Sequence, residues 1–181
     1  MQYNPDFHHR HSIRFQNYNY SNKGMYFITI CVQNHECLFG IIQNNIMTLN
    51  NIGKIVENEI LKTSQLRKNV YIDKYVVMPN HIHMIIDIQS AEISSYANSK
   101  IKTLSTQQKS KLLLPKIIQQ YKSATVRRVK EYNNLEIYGK QYLHWQRNYH
   151  DHLIRNKTEH LQISSYISHN PYNWVQDNLH K

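Results

Sequence analysis

Two cysteines, four glycines and four prolines in 181 residues cannot make a disulfide scaffold, a collagen-like chain or a linker-dominated one. Cys31 and Cys37 lack the paired spacing of a zinc knuckle and read as idle thiols of a cytosolic protein. No run of about 18 apolar residues occurs, and the opening MQYNPDFHHRH has no apolar stretch of signal-peptide type. A membrane span and a secretory leader are therefore not expected, and the expected location is cytoplasmic. Acidic side chains are scarce as well. Twelve Asp and Glu face 22 Lys and Arg, for a net charge of +10. The imbalance is lopsided: residues 1–95 hold 8 basic and 7 acidic groups, residues 96–181 hold 14 and 5. Positive charge segregated in this way is the footprint of a polyanion binder. Fourteen tyrosines and two tryptophans supply flat surfaces on which unpaired bases stack.

The length suits one domain with its own core. Residues 1–24 are polar and aperiodic and read as an arm, whose HHRH is a basic stretch rather than a metal site. From Met25 to Gln33 apolar residues alternate as in a half-buried strand. A short hairpin strand follows Gly40, and Asn51 is placed to cap a helix over residues 52–66. Val70–Met78 and His81–Ile88 are two β-type runs joined by Pro79-Asn80, an antiparallel hairpin. Residues 90–114, rich in Ser, Lys and Gln, read as an insertion loop. Pro115 opens a helix reaching about Tyr132, a short strand is expected around Tyr142–Trp145, and a last helix runs from about Thr158 to Asn170-Pro171. This order predicts an α+β fold, an antiparallel sheet with helices on one face. One domain spans 25–174, with 175–181 as a tail.

Three stretches can carry chemistry. In MPNHIHMIIDI, strand periodicity turns His81 and His83 to one face and Ile82, Met84, Ile86 and Ile88 to the core. Two imidazoles at i and i+2 on an open strand face can converge on a metal ion; they can equally be two surface histidines in a chain that has twelve. On the last helix Tyr166 and Asn170 stand one turn apart, a spacing that amphipathic packing and a helix stop before proline would also produce. HWQRNYHDHLIRN gathers planar and cationic groups. Trp145, Arg147, Tyr149, His152 and Arg155 from it, with Lys116, Lys122, Arg127, Arg128 and Lys130 of the preceding helix, form the candidate DNA-binding set. A structural tryptophan beside solvated charges accounts for the segment nearly as well.

MPNHIHMII, the Tyr-Lys-Ser of the basic helix, WQRNYHDHLIR and SSYISHNP, in this order over residues 25–174, resemble the HUH (His-hydrophobic-His) single-strand transposases. The likeness is nearest to the REP-associated tyrosine transposases. It implies a ferredoxin-like catalytic domain over 25–174, with the active site on the sheet face opposite the helices. It also implies that His81 and His83 are catalytic and bind a divalent metal, that Tyr166 is the single nucleophile, and that Asn170 is the third ligand. Two imidazoles and an amide oxygen leave positions for water and substrate, which suits Mg²⁺ or Mn²⁺. The implied activity is cleavage and rejoining of single-stranded or hairpin DNA at palindromic repeat ends, in DNA transposition, through a 5′-phosphotyrosine. Relatives of this kind are monomers or homodimers. The rivals are a non-catalytic, domesticated DNA-binding protein and a metal-dependent phosphoesterase that needs no tyrosine.

Overall fold

The structure, a computed structural model, describes residues 23–89, 113–135 and 141–180. The expected arm, apart from Lys23 and Gly24, and the expected insertion, apart from Leu113 and Leu114, lie outside the described residues. In chain order the elements are β1 (Gly24–Cys31), β2 (Gly40–Gln43), β3 (Ile46–Leu49), α1 (Asn51–Gln65), β4 (Val70–Val77), β5 (His81–Ile88), α2 (Leu113–Leu135), β6 (His150–Ile154) and α3 (Lys157–His169). Short 3₁₀ turns follow β1 and α3.

Four strands make an antiparallel sheet in the order β4-β5-β1-β6, and β2 and β3 form a separate hairpin. The alternation of β1 sends Tyr26, Ile28, Ile30 and Val32 into the main core with Ile82, Met84, Ile86 and Ile88 of β5. Apolar residues of α1 (Ile52, Val56, Ile60) and α2 (Ile117, Ile118, Tyr121, Val129) close that core from above. The α+β class, the antiparallel sheet and the hairpin through Pro79-Asn80 agree with the sequence. The helices divide, however: α3 lies on the opposite face, where Ile167 meets Ile85 and Ile154 with Phe27, Val76 and Ile163 around them. The site face is thus shared by the site and a helix.

Two local expectations are corrected. The strand placed at Tyr142–Trp145 is only an isolated bridge, Val32 to Trp145, although Leu143 and Trp145 alternate inward as a strand would. Pairing with β1 is made instead by His150–Ile154, whose HDHLI carries no apolar period because it is a short edge strand. The cap of α1 is Asn50, not Asn51. Asn50 Oδ1 accepts from Gly53 N at 2.9 Å while its amide donates to Leu38 O, so one side chain satisfies a helix end and the incoming chain.

Gly53 stands where α1 presses on the main chain. A Cβ there would lie 2.1 Å from Phe39 O. Gly53→Ala should therefore destabilise by roughly 1–3 kcal/mol, although alanine is the better helix former by about 1 kcal/mol. Thermal unfolding is the check, at about 2–4 °C per kcal/mol for a chain of this size; an unchanged or higher Tm would mean that the approach is slack.

Candidate active site

The register of the sheet assembles the site. Thr29 of β1 pairs with His83 on one side and His150 on the other, and Cys31 pairs with His81. His81, His83 and Thr29 therefore share the face on which α3 lies. Seen from the helix, Tyr166 and Asn170 are one turn apart and point down to the same place, as their spacing predicts. The Tyr166 hydroxyl is 3.3 Å from His83 Nε2. Phe27 fixes the arrangement from the side, stacked on His83 at 5.2 Å between centroids and edge-on to Tyr166. Over this floor opens a cleft of about 580 Å³, walled by His150 and by Asn173, Gln176 and Asn178.

Both imidazoles are held by their far nitrogens. Asn80 donates its Nδ2 hydrogens to the carbonyls of His35 and Leu179, which leaves Oδ1 as the acceptor for His81 Nδ1 at 2.7 Å. Thr29 Oγ1 lies 2.8 Å from His83 Nδ1. Each Nε2 is thereby turned to the site, the arrangement by which an outer partner fixes the orientation of a metal-binding histidine. The expectation of an open strand face is corrected: His81 is 0% and His83 2% exposed. The cover comes from α3 and from the turn after it, where Trp174 lies 6.0 Å from the His81 ring. Burial pushes the basicity of His81 down to about 4 and that of His83 well below the usual imidazole range. Both shifts favour the neutral ring, the form that ligation requires. Tyr166 is shifted the other way, its phenol raised by burial and by the nearby Asp177 carboxylate.

Two atoms test the fit of a metal. His81 Nε2 and Asn170 Oδ1 are buried with no hydrogen-bond partner, and an orphaned polar atom in a folded interior is costly unless something meets it. A third group joins them, Asp177. One ligand atom from each of His81, His83 and Asp177 lies within 4.8 Å of the others. These nitrogen and oxygen donors fit a divalent ion. His83 Nε2 has two claimants, since the lone pair that would bind a cation also faces the Tyr166 hydroxyl. Asp177 escaped sequence reasoning because it lies beyond the helix stop at Pro171; its one signal is that no other carboxylate follows Glu159.

The candidate DNA-binding residues separate into four groups. Tyr149 belongs to the main core and half-buried Trp145 packs against it; Trp145 Nε1 donates to Thr125 Oγ1. Lys122 holds a loop together, its Nζ donating to the carbonyls of Gln146, Arg147 and Asn148. Lys116, Arg127, Arg128 and Lys130 are exposed on α2, across the sheet from Tyr166, and Arg127 and Arg128 pair with Glu131. Arg147 and Arg155 are exposed next to β6, while His152 bonds Glu159 at 2.6 Å and ties β6 to α3.

No family model matches the chain. An uncharacterized protein of Haemophilus influenzae is 39% identical over 182 residues, spanning 99% of this chain and 97% of that protein. Among solved structures, a REP-associated tyrosine transposase bound to a REP hairpin superposes with a TM-score of 0.53 at 18% identity. The superposition covers 90% of this chain and 76% of the other. At that identity it speaks to the fold.

Proposed function

Because the chain belongs to one family with the uncharacterized Haemophilus influenzae protein and has the fold of a REP-associated tyrosine transposase, we propose that it cleaves and rejoins single-stranded or hairpin DNA through Tyr166. The observation that carries this reading is the Tyr166 hydroxyl, 3.3 Å from His83 Nε2, at the floor of an open cleft beside orphaned metal-type donors. The phenol oxygen attacks phosphorus and the bond to the 3′-oxygen breaks. The net result is a 5′-phosphotyrosine and a 3′-OH that has gained the phenolic proton. The reverse exchange rejoins the strand, so no water and no external energy source is consumed. A divalent ion, Mg²⁺ or Mn²⁺, held by His81, His83 and Asn170 would supply Lewis-acid polarisation of the scissile phosphate. The chain's own part is positioning. Phe27 and the buried Ile167 fix the helix that presents Tyr166, and a nucleophile must be held within about 3–3.5 Å of its target.

Arg147 and Arg155, exposed beside the edge strand β6, would meet DNA that approaches along that edge. Lys116, Arg127, Arg128 and Lys130 are left for DNA that rounds the edge to the far face, as the stem of a hairpin would. Among the described residues no helix is long and apolar enough to cross a membrane.

Binding to a labelled hairpin should weaken steeply with salt, each neutralised phosphate on a single strand adding roughly −0.7 to the slope of log affinity against log salt. Three or more contacts thus predict a slope steeper than about −2. The test of the chemistry is incubation of that hairpin with the protein and Mn²⁺, scored for a covalent adduct under denaturing conditions. Binding without an adduct would favour the non-catalytic rival, and hydrolysis without an adduct a phosphoesterase.

A further inference from the structure

The turn after α3 brings a carboxylate onto the histidine pair. Asp177 Oδ1 accepts from Leu179 N at 2.7 Å, which shapes the turn. Its other oxygen, Oδ2, points at His81 Nε2 across 3.9 Å, with the two side chains 6% and 0% exposed. This approach is unfavourable as it stands. His81 gives its Nδ1 hydrogen to Asn80 Oδ1, so Nε2 of the neutral ring presents a lone pair, and a carboxylate oxygen presents another. His81 Nε2 is buried with no hydrogen-bond partner, and a lone pair facing a half-buried carboxylate oxygen with no hydrogen between them is repelled. A cation between them removes both problems. The gap also fits one: two bonds to a small divalent ion span at most about 4.2 Å.

We propose that Asp177 is a ligand of the metal held by His81 and His83, so that, among the described residues, the ion's anionic donor comes from the turn that follows the tyrosine helix. One amide ties that turn to the histidine pair, because Asn80 donates to Leu179 O while accepting from His81. Asp177 and Asn80 would then both tie residues 174–180 to the histidine pair, one through the bound ion and the other through Leu179 O. A carboxylate ligand also favours a hard divalent cation over a soft one.

This inference rests on the reading of His81 and His83 as ligands and not on Tyr166 as nucleophile. Its test therefore uses no DNA. The full-length protein, freed of metal with a chelator, is titrated with Mn²⁺ and followed by calorimetry and by the electron paramagnetic resonance of free Mn²⁺. Asp177→Asn should weaken Mn²⁺ binding at least about tenfold, losing a direct ligand where outer partners alone account for roughly 10–100-fold. The same variant without metal should melt at or above the wild-type temperature, since it removes a half-buried, poorly matched charge. Mn²⁺ should slow amide hydrogen exchange over residues 174–180 in the wild type and not in the variant. Equal Mn²⁺ affinity in Asp177→Asn, alongside loss in His81→Ala, would overturn the assignment while leaving the histidine site standing. A wild-type chain that binds no Mn²⁺ overturns it outright.

Discussion

Tyr166→Phe is expected to abolish the covalent protein–DNA adduct while leaving hairpin affinity within about twofold and the fold intact. Removing a nucleophile that no neighbour replaces costs catalysis by orders of magnitude; in a well-studied serine protease the figure is roughly 10⁶-fold. The stability cost is small because Tyr166 is 44% exposed and the contact of its oxygen with His83 is long, at 3.3 Å; changes of this kind fall within about 0.5 kcal/mol. Mass spectrometry of the trapped wild-type complex should place the nucleotide on the peptide containing Tyr166. The competing residues are Tyr172, exposed on the turn past the helix, and Tyr149, whose ring is in the core. An adduct on either, or full cleavage by the Phe variant, would overturn the assignment.

His81→Ala and His83→Ala are each expected to lose the adduct and more than about a hundredfold in Mn²⁺ affinity, beyond the roughly 10–100-fold that outer-partner changes alone deliver. Unlike a truncation on an open strand face, these also lower the melting temperature. His81→Ala leaves Asn80 Oδ1 without its partner, and His83→Ala does the same to Thr29 Oγ1. Each stranded group costs about 1–3 kcal/mol. The control is His169→Ala. This ring is exposed at the end of α3 and bonds only Ser165 of its own helix, so metal affinity and adduct yield should be unchanged. Retained Mn²⁺ affinity in both site variants would make the histidines structural.

How much of this was legible beforehand follows from the range of each interaction. The two-residue period of His81 to Ile88 and the four-residue step from Tyr166 to Asn170 are local, so the sequence displays which side chains share a face. What covers a face is not local. The lid over His81 and His83 comes from residues more than 80 positions later, and nothing in HIHMIID registers it. Asp177 reaches the site only because the chain turns back after Pro171, which is a tertiary event. Composition does not show what Trp145, Tyr149 and Lys122 do within the fold. Aromatic and cationic groups close in sequence suit a nucleic acid, yet here they knit the loop before β6 to α2 and the core. The edge strand was misplaced for a related reason: QYLHW alternates apolar and polar residues without pairing along its length, while HDHLI pairs without alternating.

Asn80 leaves this lineage almost no room to drift at that position. Its side chain accepts from His81 and donates twice, to His35 O and Leu179 O, and its own carbonyl receives Val32 N, all without exposure to solvent. Aspartate would keep the acceptor but set a charge against two carbonyls. Serine and threonine are too short to span three partners, and glutamine would have to fold an extra methylene into a filled space. A substitution there is at once a change to the loop after β1, to the orientation of a site histidine and to the anchoring of the last turn. Ancestors of the chain could have altered each of these separately elsewhere, but at Asn80 they inherit all of them or none.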